Sequence, residues 1–418
     1  MGTGDSSKMS LGEEANFGQT FDSNFLVKRL RILPGANMEI DPQLAASEEM
    51  TGRRFKGTDY KGILRGTGSF SILGTPEGGI GWIFKWLTGS VSTIIGWYRP
   101  RNLILTSVGG ELSAPFVTTG VVKATDHSLF LRRATGAKQR LTASVSATPA
   151  ALEYYFDETT KTVTFGTALT LGDQVILSWT EVVVGVYSHV YVDASSVRSF
   201  CLAMLRGDVR LFDYSGVVMN TLGMNINTSD ILQLDNEVLF KDETHEVISN
   251  WKDLVSTKDA SDPFLIKYAK VFIDQAQETN IQNFDLSYGN AQEPFDTINC
   301  SDTTNKFNLG TAELTVAMTQ EFVDANTRDD FRALTLRDFE IVYGDCPAPE
   351  GGVEIGATGA NYQLRIWIPA GQYTSDSVPI QEGVMLEDVN VKATTDIYLD
   401  QAFEFVLVNS VTGYPNAT

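Results

Sequence analysis

The chain has 418 residues, of which 43% are hydrophobic, 20% are charged and 10% are aromatic. This composition excludes the charge-rich, apolar-poor class of disordered chains, and the length allows about three domains with cores of their own. The formal net charge of −20 disfavours a nucleic-acid-binding protein, because gripping phosphates requires a surplus of Lys and Arg.

The first predicted helix begins at Thr75-Pro76-Glu77, because Thr75 can cap the N-terminus and proline fits the first helical position. Apolar residues then recur at helical spacing as far as Gly89, which is expected to end the helix. The glycine-rich stretch before this helix precedes a strand and lacks the lysine of a P-loop. Its glycines are therefore interpreted as bulges or turns: Gly62, Gly66 and Gly68.

Residues 99–186 have a β-character of their own. Turn signals such as Gly109-Gly110 separate short alternating runs, including 162–165 and 175–179. We interpret this stretch as a small β-sandwich inserted into the surrounding fold.

Alternating strands dominate the rest of the chain. In the run 362–368 the apolar side chains fall on one face, and Pro369 is expected to end the strand. The same period of two is present in residues 175–179, 314–318 and 403–407. These runs predict half-buried strands and a mainly β fold.

A second short helix is predicted from Thr327. Asp329 and Asp330 lie in its first turn, where the helix dipole favours carboxylates. Phe331 and Leu334 are expected to pack inward. This helix follows an alternating run, as the first helix does, so the strand-then-helix passage occurs twice in the chain.

Short signals also recur in the two halves of the chain. Gly216-Val-Val is followed by Asp230-Ile231, and Gly383-Val-Met is followed by Asp396-Ile397. The spacing between landmarks is longer in the first half, as an insertion requires. We predict two tandem copies of one β-fold, each with a flanking short helix. The predicted domains are 1–98 plus 187–240, the inserted β-sandwich 99–186, and 241–418.

No group of side chains typical of catalysis is found. The three histidines, His127, His189 and His245, lack metal-ligand spacing, and no G-x-S-x-G motif is present. We predict that the protein is not an enzyme, with no catalytic residue, no metal-binding residue, no cofactor-binding residue and no cofactor. Since no window holds the ~18–20 apolar residues of a membrane-spanning helix, no membrane partner is expected.

Several other clusters favour structural interpretations. Cysteines 201, 300 and 346 form no C-x-x-C pair, and Cys201 is interpreted as a core thiol. The acidic clusters 230–242 and 324–330 lack the EF-hand pattern and are interpreted as solvated faces. Trp82 and Trp86, four apart, are expected to pack one helix face against a sheet.

One basic concentration stands out in this acidic chain. It comprises Lys28, Arg29 and Arg31 together with Arg53, Arg54 and Lys56. In an oligomer, it could face an acidic neighbour and set the register between subunits.

Several landmarks stand in a characteristic order along the chain. They are a polar N-terminal arm, a strand at 27–33, a long loop at 34–60 containing Met50-Thr-Gly-Arg53, a strand at 62–73, the helix from Thr75, and the segments 187–191, 199–203, 214–222, 366–369 and 407–409. This order resembles the major tail tube proteins of long-tailed bacteriophages. The resemblance covers nearly the whole chain except residues 99–186.

The resemblance implies a β-sandwich with a flanking helix whose strands join neighbouring subunits into a closed ring. The rings would stack into the phage tail tube, a conduit for DNA ejection, located in the virion tail and assembled in the host bacterial cytoplasm. A duplicated member would form a homotrimer with pseudo-sixfold symmetry, with an Ig-like inserted module on its outer wall. The loops 34–60 and 289–308 would carry contacts between rings.

The partners implied are further copies of the chain and other tail proteins, while DNA passes through the lumen without specific binding. An acidic lumen agrees with this role, because it repels phosphates. Two alternatives remain open at this stage: another tail component, such as a distal tail or sheath-like protein, and a carbohydrate-binding or glycan-processing β-protein.

Overall fold

A computed structural model describes most of the chain, with gaps. The described residues are 8–19, 26–43, 62–116, 121–134, 138–207, 210–227, 231–246, 261–265, 268–297, 302–344, 353–378, 385–397 and 399–414. The fold is mainly β with two short helices, as predicted. Neither of these helices is long and apolar enough to cross a membrane.

The strands and helices follow one another in three groups. The first half and the stretch that interrupts it contain β1 (Lys8–Glu13), β2 (Leu26–Leu30), β3 (Asn37–Asp41), β4 (Arg65–Leu73), α1 (Ile80–Thr88), β5 (Ser92–Ile95), β6 (Trp97–Thr106), β7 (Ser113–Pro115), β8 (Val122–Arg132), β9 (Lys138–Ser144), β10 (Glu153–Asp157), β11 (Thr162–Phe165) and β12 (Gln174–Glu181). The first half resumes with β13 (Tyr187–Tyr191), β14 (Phe200–Arg206), β15 (Arg210–Asn227), β16 (Gln233–Phe240) and β17 (Asp242–Glu246). The second half contains β18 (Lys270–Ile273), β19 (Ala276–Glu278), β20 (Ile281–Gly289), β21 (Glu293–Phe295), β22 (Lys306–Asn308), β23 (Glu313–Glu321), α2 (Asn326–Ala333), β24 (Leu336–Tyr343), β25 (Gln363–Ser377), β26 (Leu386–Ala393) and β27 (Glu404–Asn409).

One antiparallel layer runs through both halves of the chain. Its eight strands lie in the order β3–β4–β16–β15–β20–β23–β26–β25. The C-terminal parts of the long strands β15 and β25 belong to this layer. Their N-terminal parts pair instead with β14 and β17, and with β24 and β27, respectively.

A single hydrophobic core joins the eight-stranded layer to the strands around it and to α1. Phe70, Leu222 and Leu286 come from the eight-stranded layer, while Leu11 and Leu202 come from β1 and β14. Because strand side chains alternate between faces, this arrangement leaves the other face of the eight-stranded layer outside the core.

The pairing pattern of the first half recurs in the second half. The β1–β2 hairpin pairs with β14, and the β18–β19 hairpin pairs with β24. The β14–β15 and β24–β25 pairs both contain a register shift, as do the β15–β16 and β25–β26 pairs. The passages β4–α1 and β23–α2 occupy corresponding places in the two series. The domain boundaries themselves stay a prediction.

The glycine and Asp-Ile landmarks of the sequence repeat do not mark corresponding places. Gly216 lies inside β15 and Ile231 precedes β16, whereas Asp396 and Ile397 follow β26. Asp230 and Gly383 lie outside the described residues. The correspondence is therefore carried by strand pairing and not by these short motifs, which recur easily in β-rich sequences.

Strands β6 to β12, in the stretch that interrupts the first half, lie together apart from the eight-stranded layer, and we call them the inserted unit. Its strands form a seven-stranded sheet in the order β6–β12–β8–β9–β10–β11–β7, with one parallel pair, β9–β10. It has a hydrophobic core of its own, which includes Leu129, Leu131, Val163, Leu177 and Trp179. That this stretch is a separate inserted domain of Ig-like type with the boundaries 99–186 stays a prediction.

The inserted unit docks on the second half of the chain. The Lys138 ammonium forms an ion pair with Asp396 (3.1 Å), and Arg132 forms one with Asp274. The prediction of half-buried strands is consequently wrong for 175–179 and 362–368, which are buried on both faces because Ile176 packs against Trp367. The run 403–407 is also buried on both faces.

Two further strand predictions have opposite outcomes. Residues 314–318 lie in β23 and alternate between buried and more exposed positions, as predicted. Pro369 does not end its strand, because β25 continues to Ser377. The proline lies where the register of β24 and β25 shifts between Arg337 and Phe339, and such a bulge tolerates a residue that has no N–H group. The strand predicted at 27–33 is β2, which ends at Leu30.

The first helix begins later than predicted, because residues 76–79 form a turn that is held from outside. The Glu77 carboxylate accepts hydrogen bonds from the hydroxyl of Tyr362 (2.5 Å) and from the hydroxyl of Ser410. The helix ends as predicted at Gly89, whose φ of 83° is the left-handed conformation that favours glycine.

The second helix begins at Asn326, one position before the predicted Thr327. The Asp324 carboxylate accepts the Asn326 N–H (2.8 Å) and so acts at the helix start. Phe331 is partly buried against the core, as predicted. The prediction for Leu334 is wrong: its side chain is 61% exposed, because the residue ends the helix in the left-handed conformation with a φ of 54°.

Gly66 and Gly68 lie in regularly paired strand, so their interpretation as bulges or turns is wrong. They are required by close packing. A Cβ on Gly66 would lie 2.3 Å from the ring of Phe240, and one on Gly68 would lie 2.2 Å from the sulfur of Met38.

We expect Gly66→Ala to lower the free energy of unfolding by about 1–3 kcal/mol, because the buried Phe240 ring must move to admit the methyl group. Gly289→Ala is the matched control, since a Cβ there meets no atom within 4 Å. Urea denaturation of the two variants measures the difference. Equal midpoints would contradict the packing role of Gly66.

Candidate functional surface

The eight-stranded layer has one face in the core and one face exposed. On β16, Leu234 and Val238 are buried, whereas Gln233, Asp235 and Glu237 are exposed. Strands β3, β20, β23 and β26 also alternate between less exposed and more exposed side chains. We call the exposed side of these eight strands the acidic face, because of the side chains it carries.

Carboxylates outnumber cations on the described part of the acidic face. Its two cations are already paired: Arg65 with Asp296 (3.0 Å) and Lys392 with Glu313 (2.8 Å). Since unpaired like charges on a broad surface produce a field of one sign, this face repels polyanions. Its carboxylates are Glu39, Asp41, Asp235, Glu237, Asp285, Glu313, Glu321 and Asp388.

Cross-strand hydrogen bonds hold some of these carboxylates in place. The Ser71 hydroxyl donates to Asp235 (2.5 Å), and in the second half the Thr319 hydroxyl donates to Asp388 (2.8 Å). The two pairs occupy corresponding positions on β4–β16 and β23–β26. Such pairs help like-charged strands to lie side by side in one sheet.

The two halves of the chain meet at the centre of this layer. Strands β15 and β20 pair over seven residues, from Thr221 opposite Gly289 to Asn227 opposite Asn283. This pairing makes the acidic face continuous from one half to the other.

Asn290 reinforces this central junction immediately after β20. Its buried side-chain amide donates to the carbonyl of Leu87 at the end of α1 (2.9 Å) and to that of Met219 in β15 (3.1 Å). The Gln292 side chain donates to the same Met219 carbonyl (2.9 Å). One amide thus ties a strand of the second half to a helix and a strand of the first half.

A second junction joins the halves outside the acidic face, where β13 pairs with β27. His189 on β13 is fully buried there, and its Nε2 lies 3.0 Å from both the Asn409 side-chain oxygen and the Val411 carbonyl. Its Nδ1 lies 3.0 Å from the Thr93 hydroxyl. These partners fix a neutral ring with the proton on Nε2, and burial lowers the pKa of His189 to about 4.

The eight-stranded layer ends in two edges. Among the described strands, β3 pairs with β4 alone, and residues 373–377 of β25 pair with β26 alone. Unpaired backbone groups at a strand edge are a template for another strand.

The histidines and the described cysteine lie apart from one another. His127 lies inside the inserted unit with its Nδ1 2.7 Å from the Tyr154 hydroxyl, and His245 is exposed on β17. Cys201 is a buried thiol, as interpreted, and burial raises its pKa to about 12. Among the described residues, no group of three or more His, Cys, Asp or Glu could hold a metal ion.

The tryptophan pair packs into the core, as interpreted from the sequence. Trp86 stacks on Phe200 with ring centroids 4.2 Å apart, and Trp82 contacts Tyr414 edge-on at 5.2 Å. Only part of the basic run, Lys28 to Arg31, lies within the described residues. Arg31 donates to the Ser261 carbonyl (2.9 Å), while Arg53, Arg54, Lys56, Cys300, Cys346 and the 50–53 motif lie outside the described residues.

Sequence reasoning did not find the acidic face. A signal was present, because two acidic residues stand two positions apart in Gln233–Phe240 (Asp235 and Glu237) and in Asn37–Asp41 (Glu39 and Asp41). The run 230–242, interpreted only as a solvated acidic face, contains β16 and so contributes to a face that eight strands share.

A family model described as phage tail tube protein matches residues 4–393. The match spans the inserted unit as well as both halves of the chain. No curated protein matches the chain.

We expect Asn290→Ala to lower the free energy of unfolding by about 1–3 kcal/mol, because the Leu87 carbonyl loses this donor and the Met219 carbonyl keeps only the Gln292 side chain as its side-chain donor. Hydrogen exchange should accelerate first at the amides of β15 and β20. Asn283→Ala changes an exposed residue in β20, the strand that Asn290 follows, and should leave both measurements close to those of the unchanged protein. An equal loss of stability in both variants would argue against the role of Asn290.

The buried His189 should make stability depend on pH. Its pKa of about 4 in the fold lies below its ordinary value of 6.5, so the unfolded chain takes up a proton first. Stability should be fully present above pH ~6.5 and fall as the pH drops toward 4, by up to about 1.4 kcal/mol per pH unit. His189→Gln should remove that part of the slope in denaturant titrations at several pH values, whereas His245→Gln should retain it.

Proposed function

The chain belongs to the phage tail tube protein family, and we propose that three copies close into a ring with pseudo-sixfold symmetry and that the rings stack into the tail tube. In this proposal DNA passes through the ring during ejection, and the protein is a structural part of the virion tail. The single observation that carries the proposal is the eight-stranded acidic layer, which has at each end a strand edge without a partner among the described strands.

The junction inside the chain supplies a template for the junction between copies. Strand β20, which opens the second half's part of the layer, pairs with β15. By the recurrence of pairing, β3 corresponds to β20 and β25 corresponds to β15. The outer edge of β3 in one copy would therefore pair with the outer edge of the end of β25 in the next copy.

The register shifts fix how these two edges would align. Thr221 follows the shift in β15 and pairs with Gly289, the last residue of β20. Ser375 follows the corresponding shift in β25, and Asp41 is the last residue of β3. The expected register places Ser375 opposite Asp41 and Ser377 opposite Glu39.

Closure by three copies would give a barrel with on the order of 24 strands, more than the 16–18 strands that already leave an aqueous channel in porins. The acidic face would line the channel. Because its carboxylates repel phosphates, DNA would slide along the lumen without adhering to it. Closure would also pair the edges that otherwise invite aggregation.

The position of the inserted unit agrees with a place on the outer wall. It packs through Ile176 and Phe130 on Trp367, in the part of β25 that lies outside the eight-stranded layer. From that position it leaves the acidic face free. We propose further that the tube contacts other tail proteins and is assembled in the host bacterial cytoplasm.

Paired cysteines test the ring directly. Glu39→Cys combined with Ser377→Cys should form disulfides between copies, because directly opposed antiparallel residues bring their Cβ atoms within about 4.5–5.5 Å. Under oxidation, non-reducing electrophoresis should show a ladder that ends at the trimer.

Ile40→Cys combined with Ser377→Cys is the matched control, because position 40 lies on the opposite face of β3. It should remain monomeric under the same treatment. A ladder that ends at the hexamer would refute the trimer, and the absence of cross-links in protein that forms rings by electron microscopy would refute the register.

A further inference from the structure

A strongly acidic cleft lies in the second half of the chain. It has a volume of about 300 Å³ and lies among the β18–β19 hairpin, the end of β23 and the start of α2. Arg337 is the one cation among the described residues that line it, and this cation is already held by Asp330 (2.7 Å) and Asp274 (2.7 Å). The cleft therefore carries an excess of negative charge. Its remaining carboxylates are Glu278, Glu321, Asp324 and Glu387.

Glu387 has a buried carboxylate oxygen that no donor satisfies. The residue lies on β26 and is 1% exposed. Its Oε2 accepts a hydrogen bond from the Gln320 side chain (2.8 Å), while its Oε1 has no hydrogen-bond partner among the described residues. A buried oxygen in this state is costly. Because Glu387 lines the cleft, a ligand that enters the cleft could supply the missing donor.

A second buried carboxylate lies beside Glu387. The Asp376 side chain on β25 is 1% exposed, and neither of its oxygens has a hydrogen-bond partner among the described residues. The Nε of the exposed Arg328 lies 3.5 Å from one of them. Burial raises the pKa of Glu387, and the neighbouring Asp376 carboxyl adds to this effect. Two adjacent buried carboxyl groups are stable when they share a proton or when a further cation lies beside them.

The donor set of the cleft fits an ammonium group better than a metal ion. Within the part of the chain that the structure describes, His, Cys, Asp and Glu form no group of three or more that could hold a metal ion. An ammonium group needs only hydrogen-bond acceptors for its three N–H donors, and its hydrogen bonds to carboxylates are assisted by charge. The Oε1 of Glu387 is one such acceptor.

The rest of the lining indicates which kind of molecule would carry the ammonium group. Ile273, Val323 and Tyr373 supply apolar surface inside the cleft. Glu321 and Asp324 are exposed and supply carboxylates nearer to the solvent, and we call these two residues the mouth of the cleft. A volume of about 300 Å³ lies at the lower end of the range for small-molecule pockets. The lining therefore matches a slender aliphatic stem with a cation at more than one position.

We propose that the acidic cleft binds a linear aliphatic polyamine, with one ammonium group on Glu387 and another beside the carboxylates at the mouth. The methylene stem packs on Ile273 and Val323, so that binding depends on the spacing between the ammonium groups as well as on their charge. The site belongs to a single chain, and the inference does not require rings.

Isothermal titration calorimetry of spermidine with the full-length protein tests the site. We expect a single saturable site per chain. Glu387→Gln should weaken binding by more than about tenfold, because a neutral amide replaces the buried carboxylate at nearly the same volume. Asp285→Asn is the matched control, since it removes one charge from the exposed side of β20, outside the cleft. This control should bind spermidine as the unchanged protein does.

A second variant keeps the test decisive if Glu387→Gln does not fold. Glu278→Gln with Glu321→Gln changes two cleft carboxylates that lie outside the core, and the circular dichroism spectrum should stay unchanged. Spermidine affinity should fall about fivefold in this variant. Propylamine, which has one ammonium group, should bind the unchanged protein more weakly than spermidine, because it cannot reach Glu387 and the mouth at once.

Three results would overturn the proposal. Equal affinity in the cleft variants, or many weak sites that disappear as salt is added, would indicate adsorption of spermidine to an acidic surface. Tighter binding of Mg²⁺ in competition with spermidine would assign the cleft to a metal ion. Absence of spermidine binding would mean that a proton shared between Glu387 and Asp376 satisfies the buried oxygen.

Discussion

A strand satisfies all of its backbone hydrogen-bonding groups within a sheet only when it has a partner strand on both sides, and this requirement governs the molecule. Within the chain it is met where β15 accepts β20, over seven residue pairs. At the ends of the same layer, β3 and the last residues of β25 have a strand partner on one side only among the described strands. The pairing scheme that recurs in the two halves is thus complete in the middle of the layer, and the proposed ring would pair the edges at its two ends.

The second constraint is the contrast between the two faces of that layer. One face contributes Phe70, Leu222 and Leu286 to the core, and the opposite face carries carboxylates. Repulsion between like charges on neighbouring strands destabilises their pairing. Hydroxyl donors such as Ser71 hold individual carboxylates in place, and solvent screens the repulsion between the remaining carboxylates. The sheet therefore draws its stability from the buried face, which leaves the exposed face free to be selected for its charge.

The sequence predicts best where local chemistry decides. The mainly β class and the end of α1 at Gly89 follow from patterning and from the left-handed conformation that glycine tolerates. The start of α1 does not follow from the local sequence, because Tyr362, far along the chain, holds Glu77 in a turn.

Surfaces that depend on distant contacts are harder to predict. A period of two predicts half-buried strands where Ile176 and Trp367 meet, because this pattern cannot reveal that the inserted unit covers the outer face. The sequence does not predict the acidic face for a related reason. Each strand carries at most a few acidic residues, and these residues form a surface only because eight strands pair side by side.

The two halves share a pairing scheme but differ in what covers their helices. Every residue of α1 is buried. Strand β13, which also pairs with β27, lies over the helix, and Tyr414 packs on Trp82. No residue of α2 is buried. The inserted unit follows α1 in the chain and docks on β25 of the other half through Trp367 and the Lys138–Asp396 ion pair. It therefore links the halves independently of the β15–β20 junction.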